Sequence, residues 1–154
     1  MMINLFVALL CLGILAIGWW ASRPMGGIWR WMFRGALMAL LAGMALPVET
    51  VFQVKQFVAT LVPFLRELET GGSASFLVHL VLFALTSALL FAFRPDLRWH
   101  HLLAGLAALA FVTEGLQLLI DGRYASWADV GVNLLGVAIG ATGRWIRVSS
   151  RRMR

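Results

Sequence analysis

SFLVHLVLFALTSALLFAFRPDLRWHHLLAGLAALAFVTEGLQLLIDGRYASWADVGVNLLGVAIGATGRW, residues 75–145, decides the fold of this chain. Three apolar runs, at 75–93, 102–120 and 127–145, are separated only by a short proline turn and by DGRYAS. Each has about the twenty residues a helix needs to cross a hydrocarbon core roughly 30 Å thick. A helix is also the one open structure that satisfies its own backbone there. Upstream, 3–20 and 31–46 repeat the pattern, the second more briefly. The expected architecture is all-α, a polytopic membrane helix bundle with about five transmembrane helices, forming a single domain over 1–154.

Composition agrees with that reading. Of 154 residues 61% are hydrophobic and 13% charged, where a soluble domain is about half apolar and a quarter charged, so water-soluble surface is missing. The mean hydropathy of +0.86 says the same. A net charge of +6 would suggest nucleic acid only if the arginines formed a patch on a soluble fold. They sit in short connections instead, and no nucleic-acid partner is expected. Cys11 stands alone inside the first run, with no partner for a disulfide and no metal or haem motif around it.

Basic residues orient the chain, because Lys and Arg in short loops stay on the cytoplasmic side. Arg23, Arg30 and Arg34, then Arg94 and Arg98, then Arg144, Arg147, Arg151, Arg152 and Arg154 alternate with connections that hold only Lys55, Arg66 and Arg123. The N-terminus is expected outside and the C-terminus in the cytoplasm. Between the second and third runs, Glu49, Gln53, Gln56, Thr60 and Glu67 recur at helical spacing among Val, Phe and Leu, which predicts an amphipathic helix over about 49–69 lying along the outer interface. RPMGG and RPDLR read as tight cytoplasmic turns whose arginines face lipid phosphate, and the seven tryptophans, all near span ends, as interfacial anchors.

Chemistry gathers at the outer ends of the last two spans. Glu114, Gln117 and Asp121 share one helical stripe, continued by Ala107 and Ala110, while Asp129, Asn133, Gly136, Gly140 and Gly143 share another. Both stripes are polar outside and small within, so they are expected to face each other, with Gly136 and Gly140 as a packing motif. His79 enters from the outer end of the third span, and Arg123 in the hairpin turn is the nearby cation. Ionisable groups in hydrocarbon cost roughly 3 kcal/mol on insertion scales, so they are expected to face partners or a wet cavity. A plainer account covers part of this set. Ser126 and Asp129 match the S-x-x-D start of a helix, and Gly122 suits the end of the preceding one. His79, Glu114 and Asp129 lack paired ligand spacing, so no metal is expected. No nucleophile elbow, zincin motif or phosphate loop is present, and no cofactor is expected.

Glu114-x-x-Gln117, followed by Arg123, Ser126, Asp129, Asn133, Gly136 and Gly140, resembles the VanZ-like family signature in order and spacing, with His79 and Pro47 similar to residues of its earlier spans. The similarity covers roughly 40–145. Ser75 and Phe76 stand where the family often carries Asp-Lys before that histidine, and the first span looks appended to the minimal pattern. The resemblance implies a bacterial inner (cytoplasmic) membrane protein of the cell envelope, related to teicoplanin resistance or to accessory proteins of surface polysaccharide systems. The expected function is binding of an envelope lipid or lipid-linked glycan headgroup in an outer pocket lined by His79, Glu114, Gln117, Arg123, Asp129 and Asn133, with Arg123 on phosphate. The alternatives are an enzyme using Glu114 or Asp129 as base and His79 as acid, and a structural subunit that packs its glycine stripe on a membrane protein partner.

Overall fold

The apolar runs fold as helices. The computed structural model describes residues 2–46, 48–61, 73–120 and 124–152, and among these every regular element is α-helical: α1 (Met2–Ala21), α2 (Gly27–Ala45), α3 (Val48–Leu61), α4 (Ser73–Phe93), α5 (Trp99–Gln117) and α6 (Trp127–Arg152). Boundaries depart from the expected ones where turn chemistry intervenes. Helix α2 starts at Gly27, whose φ of +25° is a conformation that L side chains rarely adopt, so Arg30 and Arg34 lie inside the helix. Helix α5 ends at Gln117, and 118–120 tighten into a turn through Leu119 N–H to the Leu116 carbonyl and Ile120 N–H to that of Gln117. Of the amphipathic segment expected over 49–69, Val48–Leu61 is helical and the rest lies outside the described residues, as do Pro47, Asp121, Gly122 and Arg123. By length and composition, one described helix, α4 over Phe76–Phe93, is apolar enough to cross a membrane, and α1 carries a shorter apolar stretch at Leu5–Ala21.

Among the described helices α4 and α6 form the closest pair, although α5 separates them in sequence. They run parallel, since Gly136 lies against Leu80 to Ala84 and Gly140 against Ala84 to Ala88. A Cβ on Gly136 would stand 2.6 Å from the Leu80 carbonyl oxygen, and one on Gly140 would collide with that of Ala84 and come 2.6 Å from Ser87 Cβ. Backbone meets backbone here, which only glycine permits. Ser87 Oγ closes the seam by donating to the Val137 carbonyl at 2.9 Å. This corrects the expected pairing: Gly136 and Gly140 of α6 face α4, not the small residues of α5, and a Cβ added at Gly143 would meet nothing within 4 Å. Around the seam, Leu40, Phe83, Leu106, Ala110 and Val137 form one apolar cluster, while Val7, Phe33, Leu37, Leu89 and Leu116 join α1, α2, α4 and α5 in another.

At the end of the bundle away from the α5–α6 connection, arginines tie the turns together. Arg94 is 3% exposed. Its guanidinium forks onto Asp96, at 2.9 Å from Nε and 2.7 Å from Nη2, lies 4.2 Å over the Trp20 ring, and donates to the Ala21 carbonyl at 3.4 Å. Arg34 sits 3.3 Å over Trp19 and donates from Nε to Ser22 Oγ. The expectation that the arginine opening RPDLR faces lipid phosphate is therefore wrong. Burying a guanidinium demands a carboxylate and an aromatic face, and Asp96 and Trp20 supply both. Trp19 and Trp20, at the C-terminal end of α1, are cation partners.

Hydrogen bonds from Arg94 hold the Asp96 carboxyl below the usual carboxylate range. A depressed carboxylate stabilises the fold above its unfolded pKa, near 3.9 for aspartate, and that contribution is lost as pH falls through the folded value. Wild type is expected to melt higher than Asp96→Asn at pH 7, with the margin closing below about pH 4. Thermal unfolding at the two pH values checks this, and an unchanged margin would remove the ion pair from the account of the turn.

Candidate functional site

The polar site forms where three helices converge beside the α5–α6 connection, and its centre is Asn133. Its position on α6 is set one turn before Gly136, so the close approach of α4 brings Asn133 against His79 and buries it completely. Asn133 Nδ2 donates to Glu114 Oε1 at 3.4 Å and to Thr113 Oγ1 at 3.5 Å. Its Oδ1 lies 3.1 Å from His79 Nδ1. Buried polar groups need partners, and this amide links one residue of α4 to two of α5.

The network specifies its own hydrogens. Thr113 Oγ1 donates its proton to the Ala110 carbonyl at 2.7 Å, so towards Asn133 it can only accept. A carboxylate at Glu114 also only accepts. Both neighbours therefore require the amide nitrogen, which leaves Oδ1 for His79, and an acceptor there requires a proton on Nδ1. The neutral histidine is held as the Nδ1–H tautomer, with the Nε2 lone pair free of hydrogen bonds among the described residues. Assignment of the amide follows from this chemistry, since flipping it would set Oδ1 against the acceptor face of Thr113 and the carboxylate.

Glu114 is 3% exposed. Its second oxygen accepts from the Ser126 backbone N–H at 3.4 Å. Ser126 in turn caps α6, its Oγ accepting from Ala128 N–H at 3.2 Å, as the S-x-x-D pattern predicts. In a complete capping box the Asp129 carboxylate would take the Ser126 N–H; Glu114 of α5 takes it here. Asp129, three residues after Ser126 in the first turn of α6, is half-buried. The one ion pair among the described residues is Arg94–Asp96, so no described cation touches Glu114.

Of the six candidate binding residues, the structure brings His79, Asn133 and Glu114 into one chain of hydrogen bonds, and Asp129 stands one turn before Asn133 on α6. Gln117 stands one turn from Glu114 and is 6% exposed, yet its carboxamide makes no hydrogen bond among the described residues. Arg123 lies outside them. Thr113 was missed: a threonine inside an apolar helix ordinarily back-bonds to its own helix, and only its place beside Glu114 marks it. No described trio of His, Cys, Asp or Glu is grouped to hold a metal. In comparisons with known proteins, the chain matches no family model, no curated protein and no solved structure.

Proposed function

We propose that this chain is a polytopic bacterial inner-membrane protein with about five spans, which holds the polar headgroup of an envelope lipid or lipid-linked glycan at its outer face. The observation that carries the reading is Glu114, a carboxylate 3% exposed whose two described hydrogen bonds are both 3.4 Å long and which has no described cation beside it. A buried charge so thinly solvated favours a ligand that completes its shell. Support for the membrane comes from the outward apolar surface, with Leu5, Leu9, Leu12, Ile17 and Val81 more than half exposed, an arrangement that water penalises and lipid does not. Phe52 and Phe57 of α3 are also exposed, as an interfacial helix would present them. The resemblance of the Glu114 to Gly140 pattern to VanZ-like proteins supports a role in the cell envelope, near glycopeptide resistance or surface polysaccharide assembly.

The test is mass spectrometry of lipids that co-purify in native-membrane particles. Wild type is expected to enrich an envelope lipid that Glu114→Gln and Arg123→Ala lose while remaining folded. Equal lipid profiles in all three proteins would refute the site.

An enzyme acting on the same headgroup is the second reading, favoured by His79 Nε2, which has no partner among the described residues. Neutral, it accepts a proton; once protonated, it is the acid of that scheme. Turnover of a lipid-linked substrate that disappears in Glu114→Gln would select this reading. A structural subunit is less well supported, because Gly136 and Gly140 are consumed inside the chain by α4.

A further inference from the structure

Building on the headgroup-binding reading, we infer that the part of the ligand reaching the Glu114–Asn133–His79 network is a sugar ring presenting hydroxyl groups, not a phosphate. The inventory of unsatisfied groups decides the chemistry. His79 Nε2 carries a lone pair and no described partner, because Asn133 fixes the proton on Nδ1. Both Glu114 oxygens keep acceptor capacity, since each takes one described bond at 3.4 Å, well beyond the 2.5–2.7 Å of a hydroxyl on a carboxylate. Asp129 adds a second carboxylate one turn before Asn133 on α6. Gln117, more than nine-tenths buried on the same face of α5, contributes an amide with no hydrogen bond among the described residues, one that can donate and accept at once.

These groups call for donors. Phosphate brings only acceptor oxygens and negative charge, and would meet two carboxylates with no described cation between them. A hydroxyl brings a donor for Glu114, Asp129 or Nε2 and an acceptor for the Gln117 amide. Neighbouring hydroxyls on one ring match the i, i+3 spacing of Glu114 and Gln117 on adjacent turns. In a lipid-linked glycan the phosphate is a separate group from the sugar ring, so this assignment makes no demand on Arg123.

Native mass spectrometry of the full chain in mild detergent tests it, using two lipids with identical dioleoyl chains, one carrying a single glucose and the other phosphatidic acid. Wild type is expected to retain the glucosyl lipid about tenfold better, the effect of two or three added hydrogen bonds. Gln117→Leu removes a side chain with no described bond, so it should fold normally, and it should lose most of that preference, as should Glu114→Gln. Preferential retention of phosphatidic acid, abolished by Glu114→Gln, would overturn the sugar assignment and leave the headgroup site standing. Retention of both lipids unaffected by either variant would overturn the assignment and the headgroup site together.

Discussion

Gly140→Ala is expected to destabilise the protein by about 1–3 kcal/mol, the cost of forcing extra volume into a packed seam. The added methyl meets the Ala84 carbonyl oxygen and Ser87 Cβ, and a backbone oxygen cannot swing aside as a long side chain can. The helices must part, which also breaks the bond from Ser87 Oγ to the Val137 carbonyl. Gly143→Ala is the matched control. Nothing lies within 4 Å of its added methyl, and alanine there should gain about 0.5–1 kcal/mol through helix propensity. Thermal or denaturant unfolding of the two variants in one detergent gives the comparison. Equal stabilities would mean that α4 and α6 do not approach as closely as described.

Asn133→Ala should cost about 2–4 kcal/mol, because it orphans several buried groups at once. Glu114 loses its Asn133 donor, and the Nδ1–H of His79 loses its acceptor. Most of that penalty comes from the partners left behind, so it should be strongly non-additive. In Glu114→Leu the carboxylate is already gone, and adding Asn133→Ala should cost at least 1 kcal/mol less than it does in wild type, on the order expected for contacting residues. A fully additive double-mutant cycle would show that the residues are neighbours without forming one network.

Helix positions were legible because an apolar run of about twenty residues leaves the chain few alternatives, and five of the six helices lie within a few residues of such a run. The short helix α3 followed from polar residues recurring three or four apart. Meeting of Asn133 with Glu114 could be read from stripes on adjacent helices, and His79 from its place at the start of α4. Pairing was not legible. A G-x-x-x-G spacing says that some helix comes close to that face but not which one, and the short connection to α5 suggested the neighbour in sequence. The burial of Arg94 was equally hidden, since its partners are Asp96, two residues on, and Trp20 in a distant turn. Counting arginines by loop treats each as exposed and cannot register such a bond. The tautomer of His79 depends on Thr113 donating to its own helix, a detail of rotamer that no spacing reveals.

The parallel seam between α4 and α6 also bears on how the chain is assembled. Because α5 intervenes, the tightest interface among the described helices cannot form until α6 has been synthesised. A nascent chain halted after α5 would expose the strip from Leu80 to Ala88, with Ser87 lacking its acceptor. That strip is apolar and closely fitted to glycine, so it would be open to mispairing and to quality-control proteases. Completion of α6 would therefore serve as the late step that commits the protein to its native arrangement. Since Asn133 rides on the same helix, the polar network would come into being at that moment and not before.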